Sequence, residues 1–324
     1  TYAGNAISSP DKKYEKLPFD DLAENNLDRK VTGGWLAAQE HYFIAAWVPE
    51  AKSEYHYYSF VSQNDTYTVG MVGQRFSVNP GNTITTSPSV LYAGPEEATR
   101  LDKVAPGSLK LTIDYGHLWV ISAPIFWGLQ KIHQALGNWG WAIVFITLFI
   151  KLLFYRMSAS SYRSMAKMRV LQPKLMALKD RCGDDKQKLS QETMALYKKE
   201  GANPLGGCFP MLVQIPIFLA LYWVLIESVE LRQAPFVFWL HDLSVKDPYY
   251  VLPLLMGVSM FVQQQLNPKP QDPMQAKVMM FLPVMMTGLF LSFPAGLVLY
   301  WLTNHVLSIA QQWSIMRRFG SKKA

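Results

Sequence analysis

The sequence predicts a polytopic α-helical membrane protein: five core transmembrane helices, a cytoplasmic helical hairpin between the first two, and part of a β-sandwich ahead of them, outside the membrane. Three observations predict this. Five long apolar segments fill the later part of the 324-residue chain. Charge is split: residues 1–117 hold 10 Lys+Arg against 14 Asp+Glu, and the remainder holds 21 against 10, so net −4 is followed by net +11. Short runs rich in Tyr, Phe and Val, as strands are, cluster in the first part.

Residues 1–116 read as β. His41–Pro49, Glu54–Ser62, Thr66–Val78 and Val90–Pro95 are punctuated by Asn, Asp, Gly and Pro, as at Asn79–Asn82. Alternation in LKLTIDYG (Leu109–Gly116) predicts a further strand. The pattern suits antiparallel sheet with one solvated face. It contains no metal-ligand spacing, nucleophile elbow or phosphate loop, so no cofactor is expected. A binding or spacer module is the reading, and an enzyme is not.

Residues 117–137 place Leu118, Ile121, Ile125, Leu129, Ile132 and Leu136 at helical spacing, flanked by Trp119, Trp127, Lys131 and His133. An amphipathic helix lying in a membrane interface fits this, and so does a surface helix on a soluble core. Pro124 predicts a bent start.

The membrane core is expected over 138–317. Its apolar segments are Trp139–Arg156, Phe209–Val229, Tyr249–Leu266, Val278–Phe293 and Ala295–Met316, each near the ~20 residues that cross a ~30 Å hydrocarbon layer, the fourth being short. Trp139, Trp141, Trp239, Tyr249, Tyr250 and Trp313 sit near their ends, as an interfacial aromatic belt does. Lys151–Pro204 holds 12 Lys+Arg against 5 Asp+Glu, and the tail 318–324 is basic. The connection Leu231–Pro248 is nearly balanced. By the positive-inside rule the long loop and the tail face the cytoplasm, which puts the β portion outside. A translocated β portion implies a leader or anchor ahead of Thr1.

Residues 158–201 read as two helices around a turn at Gly183–Asp185, kinked near Pro173. Met165, Met168, Leu171, Leu175 and Leu178 form one apolar edge, and the outer face, with Arg169 and Lys174, is basic. Thioether side chains repack easily against varied apolar segments, and they also serve as plain hairpin filler. The basic face suits anionic lipid or ribosomal RNA. Cys182 and Cys208 are too few for a disulfide framework.

Lys151 interrupts the first apolar segment. A basic group at mid-bilayer costs roughly 2.5–3.5 kcal/mol on insertion scales. It lies about 7 Å along a helix from Arg156, so a lysine turned into a polar cavity and a lysine snorkelling to the headgroups are both open from the residues alone.

SMAKMRVLQPK (Ser164–Lys174), NPLGGCFPMLVQIPIFLALYWVL (Asn203–Leu225), SVELRQAPF (Ser228–Phe236), HDLSVKDPYYVLPLLMG (His241–Gly257) and FPAGLVLYW (Phe293–Trp301) resemble the YidC/Oxa/Alb family of membrane protein insertases, in its Gram-negative form. The resemblance implies a periplasmic β-sandwich domain present only in part, in an inner-membrane protein. It implies as partners nascent membrane proteins with short translocated tails, the Sec translocon, the ribosome and its signal-recognition machinery, and the bilayer, with no nucleotide. It implies a groove with one basic residue, which falls on Lys151, and hairpin contacts with client or ribosome at Met165, Met168, Arg169 and Lys174. Thr147, Gln214, Asn304 and Ser308 are the polar companions expected to line that groove; each alone is an ordinary interhelical hydrogen-bonding residue. The chain departs from the family pattern with lysine for arginine at 151, Arg156 for a proline, and Glu227 for a small residue. With no proline at 156, the first span is expected to run unbroken into the hairpin.

A solute transporter or channel is the alternative, since a lysine in a polar cavity serves it too, although no inverted repeat is visible. His305 and Ser308 share a helix, but no nucleophile elbow accompanies them, so an intramembrane protease is disfavoured.

Overall fold

A computed structural model describes residues 2–62, 66–183, 185–201, 204–267 and 273–320. It divides the chain into two units: Thr1–His117 with Glu227–Glu230, and Leu118–Ile226 with Leu231–Ala324.

The first unit holds strands β1 (Gly4–Ser8), β2 (Glu15–Leu17), β3 (Asp28–Thr32), β4 (Trp35–Gln39), β5 (Phe43–Val48), β6 (Glu54–Val61), β7 (Tyr67–Val72) and β8 (Val90–Pro95). Helix α1 (Phe19–Glu24) follows β2, and α2 (Ala98–Val104) follows β8. A five-stranded antiparallel sheet runs β2-β1-β4-β5-β8, and a three-stranded one runs β3-β6-β7.

The five-stranded sheet is buried on both faces at its centre. Trp35, Ala37, Ile44 and Ala46 pack against Leu101, Ala105, Leu109 and Ile113. Ile7 and Leu36 face the other way, toward Tyr57 and Val31 of the smaller sheet. β4 is therefore apolar without alternation, as strands covered on both sides are. β5 keeps the alternation, burying Ile44 and Ala46 while Phe43, Ala45 and Trp47 are exposed. The turn into β4 uses Gly34 at φ +77°, where a Cβ would lie 2.1 Å from the Ser8 carbonyl oxygen.

Two strand predictions change here. Thr66–Val78 shortens to β7. Leu109–Gly116 is not a strand: Leu109–Thr112 is a 3₁₀ turn that buries Leu109 and Thr112 and exposes Leu111. The apolar spacing there fits periods of two and three alike, and packing against the sheet face selects the turn. Gln39 secures it by donating to the Thr112 carbonyl at 2.7 Å.

The second unit is helical: α3 (Trp119–Leu136), α4 (Trp139–Leu153), α5 (Tyr155–Cys182), α6 (Lys186–Lys199), α7 (Pro204–Glu227, whose last residue clusters with the first unit), α8 (Val251–Leu266), α9 (Pro273–Phe290) and α10 (Ala295–Gly320). Ile125, Phe126 and Leu129 of α3 are buried, with Trp119 and Trp127 exposed. Gly137 at φ +67° ends α3, and Asn138 caps α4 by accepting from the Trp141 amide at 3.1 Å. Gly257 of α8 lies against Thr287 of α9, where a Cβ would meet the hydroxyl at 2.1 Å.

The first apolar segment does not run unbroken into the hairpin. α4 and α5 meet at Phe154 with a 69° bend, although no proline is present. The Gln311 side chain donates to the Tyr155 carbonyl at 3.2 Å, so a side chain satisfies backbone at the break. α5 begins at Tyr155 rather than Ser158 and continues through Pro173. α5 and α6 pair antiparallel: Lys167 reaches the Gly201 carbonyl, Lys174 pairs with Glu200 at 2.5 Å, and Arg181 pairs with Glu192.

Among the described residues no single helix is long and apolar enough to cross a membrane alone; the bent pair α4–α5 is so together. Leu212–Glu227, α8 and Met274–Phe290 are shorter apolar helices. Part of the hairpin turn, the tail 321–324 and the Cys208 side chain lie outside the described residues.

Candidate functional site

Four helices of the second unit bring polar groups to one pocket of about 40 Å³, room for roughly two or three waters. Thr147 and Lys151 come from α4, one turn apart and so on one face. Ser158 and Tyr162 come from α5, Gln214 from α7, and Tyr300 and Asn304 from α10. Ile150, Phe154, Met157, Val213 and Ile217 supply apolar walls.

Lys151 is half-buried, and its Nζ donates to Ser308 Oγ at 2.7 Å. Ser308 Oγ donates in turn to the Asn304 carbonyl at 2.6 Å, one turn earlier on α10. Thr147 Oγ1 donates to the Ile143 carbonyl at 2.6 Å, so its hydroxyl keeps free acceptor capacity toward the pocket. Among the described residues, no carboxylate lies within ion-pair distance of Lys151. The cation is held by a hydroxyl and leaves two ammonium hydrogens for water or an anionic group.

The structure thus gathers all five predicted groove residues. Thr147, Lys151, Gln214 and Asn304 line the pocket, and Ser308 holds the lysine from behind, buried. Lys151 is not stretched toward a helix end, because its Nζ is engaged by α10. Sequence reading passed over Ser158, Tyr162 and Tyr300. Tyr300, Asn304 and Ser308 repeat every four residues, a signal that could have found Tyr300. Tyr162 depends on the bend at Phe154, which the residues do not announce. Tyr300 and Gln214 hydrogen-bond each other across α10 and α7, and Tyr162 bonds Ser308.

The predicted hairpin residues lie elsewhere on α5. Met165 and Met168 are half-buried; Arg169 is exposed; Lys174 is exposed and paired with Glu200. Met176 and Met194 are more exposed methionines of the hairpin, 59% and 60%. Glu227, the third departure, is buried within the first unit, its carboxylate 3.6 Å from His41 Nε2. Among the described residues no group of His, Cys, Asp and Glu could hold a metal.

Comparison with known proteins places the chain in a family. The profile described as 60Kd inner membrane protein matches residues 131–322, and that described as YidC periplasmic domain matches residues 1–128. The chain is 56% identical over 324 residues to a membrane protein insertase YidC of Legionella pneumophila (strain Corby), and 54% identical over 326 residues to that of Stutzerimonas stutzeri (strain A1501). Each match covers 100% of this chain and 58% of the relative, so the chain spans somewhat over half the length of these relatives. A crystal structure of an active YidC insertase with its first transmembrane domain resolved shares the fold, at TM-score 0.54 and 20% identity, over 86% of this chain and 75% of that one. A β-rich amino-terminal unit, a helical carboxy-terminal unit and these matches lead to one conclusion: the chain belongs to the YidC/Oxa/Alb family.

Proposed function

We propose that the protein of which this chain is part is a membrane protein insertase of the inner membrane. It helps new hydrophobic segments, and the short polar tails that precede them, to enter the bilayer. The observation that carries the reading is the cation Lys151, held by Ser308 in a pocket with space for water and, among the described residues, no carboxylate in its lining. A polar tail crossing hydrocarbon must shed water, at a cost of several kcal/mol for each unpaired polar group. A partly hydrated pocket shortens the dry path, and its ammonium offers a partner to passing carboxylates. No covalent chemistry is needed.

In this reading α4 with the start of α5, α7, α8, α9 and α10 are five crossings, α3 lies in the outer interface, and residues 138–317 are the working core. The hairpin 158–201 and the tail 318–324 face the cytoplasm, and residues 1–116 are part of a periplasmic domain. The charge asymmetry supports this orientation. Thr147, Lys151, Gln214, Asn304 and Ser308 form the groove. Met165, Met168, Arg169 and Lys174 are the hairpin surface offered to client or ribosome. Short-tailed nascent membrane proteins are the substrates, delivered by the ribosome and its signal-recognition machinery, alone or beside the Sec translocon.

The test is reconstitution of the complete protein in liposomes with a single-span client bearing a short acidic tail. Protease protection of that tail, dependent on the protein, is expected. Solute flux without client insertion would replace this reading with a transporter.

A further inference from the structure

The connection from α7 to α8 is held more tightly than a linker needs to be. Asn138 donates to the carbonyls of Pro235 and Phe236, both at 3.2 Å. Phe236 packs on Gly140, where a Cβ would lie 2.1 Å from its ring. The Ala295 and Gly296 amides donate to Val245 and Leu243 carbonyls at 2.7 and 2.9 Å. Asp247, buried, accepts from the Trp239 indole at 2.9 Å and from the amides of Tyr249 and Leu252 at 3.0 and 2.7 Å. The starts of α4, α8 and α10 are all tied to this one stretch.

Its backbone is also strained. Among the described residues, the non-glycine positions with left-handed φ are Gln233 (56°), Phe238 (54°) and Tyr250 (57°), all in this region. Such conformations persist where the surroundings over-determine them, and they concentrate at functional surfaces. The tight turn in which Leu240 donates to the Val237 carbonyl puts Phe238 at its tip. There the ring is 84% exposed, stacked on Trp239 at 6.0 Å. Tyr249, 67% exposed, meets Trp239 edge-on at 6.4 Å. Because the Trp239 indole N–H is turned inward to Asp247, what this ridge presents is mostly apolar ring surface.

We propose that Phe238, flanked by Trp239 and Tyr249, is a wedge that enters the acyl–headgroup boundary of the outer leaflet. The occupant is lipid rather than protein for two reasons. The ridge sits at the level where three helices begin, and Trp139 and Trp141 mark that same level on α4 as an aromatic belt does. Phe238 and its neighbours Val237 and Trp239 carry no charge that a polar partner surface would need. A rigid ring at this depth fixes the height of the tied helix starts relative to the lipid. The inference rests on the membrane reading above.

The complete protein, with Cys182→Ser and Cys208→Ser, is labelled with an environment-sensitive NBD fluorophore at Phe238→Cys. It is placed in phosphatidylethanolamine–phosphatidylglycerol liposomes containing lipid with a shallow doxyl quencher. Tyr249→Cys reads the same ridge should the first variant misfold, and Leu255→Cys, 49% exposed on α8, reports whether that helix lies in lipid. Quenching by doxyl several-fold stronger than by aqueous iodide is expected at 238 and 249. With Leu255 quenched by lipid, iodide quenching at 238 and 249 overturns the wedge and leaves the membrane reading. Protection from both quenchers there also overturns it, because protein then covers the ridge. Failure of lipid to reach Leu255 overturns both.

Discussion

Replacing Lys151 with alanine tests the groove electrostatics directly. The fold should survive, because Ser308 Oγ retains its bond to the Asn304 carbonyl and an enclosed charge is removed. On the proposed function, what is lost is attraction for a client carboxylate. A pair 4 Å apart is worth ~1 kcal/mol in water and ~4 kcal/mol at an effective dielectric of 20. The pocket has room for only a few waters, so a value between these limits, about 2 kcal/mol, is expected, roughly 30-fold in the partitioning of an acidic tail. The assay compares two single-span clients differing only in their translocated tails, one with two aspartates and one with two asparagines. They are inserted by complete protein in liposomes and scored by protease protection. Lys151→Ala should slow the acidic client at least several-fold and leave the neutral client near the wild-type rate. Lys151→Arg, which keeps the cation, should restore the acidic client. Equal loss on both clients, or none on either, would refute the electrostatic argument and leave groove shape and hydration to carry insertion.

Three further outcomes follow from the same structure. In the first unit, Glu96 is 4% exposed, and burial pushes its carboxyl up to about 8, with Glu227 adding to the effect. The folded form therefore holds this proton more tightly than the unfolded form, and the associated stability, present at pH 4.5, is lost as pH rises toward 8. Glu96→Gln should flatten the fall of the melting temperature over that window and stabilise at pH 8 by on the order of 2–4 kcal/mol; an unchanged pH profile would contradict the burial argument. Asp247→Ala leaves one indole and two backbone N–H groups without their acceptor and should cost about 2–4 kcal/mol, read as a lower melting temperature in detergent and new protease cleavage between residues 231 and 250. In a background lacking both native cysteines, a thiol probe should react from outside spheroplasts at Lys52→Cys and only after permeabilisation at Lys188→Cys, and the reverse pattern would invert the proposed topology.

Chain-local signals reached far here because membranes and helices impose local rules. The apolar lengths, the basic loop and tail, and the four-residue spacing of Thr147 with Lys151 and of Asn304 with Ser308 are readable from neighbours alone. Four strand positions were visible in the same way, as runs rich in Tyr, Phe and Val between turn residues, whereas the alternation at Leu109–Gly116 misled. β3, DRKVT, buries only Val31, and β4, WLAAQ, is covered on both faces, so neither alternates; pairing partners 22 to 35 residues away make them strands. The tertiary structure alone decided the break at Phe154, where Gln311 of a distant helix takes up the Tyr155 carbonyl. It alone swung Tyr162 into the pocket and set Gln214 of α7 against Tyr300 of α10. It also decided what holds the Lys151 ammonium: the residues alone named no partner, and the structure supplies one hydroxyl, Ser308, 157 positions away and 2.7 Å from the ammonium. Local spacing fixes which side chains share a face, but which faces meet depends on packing between elements far apart in the chain.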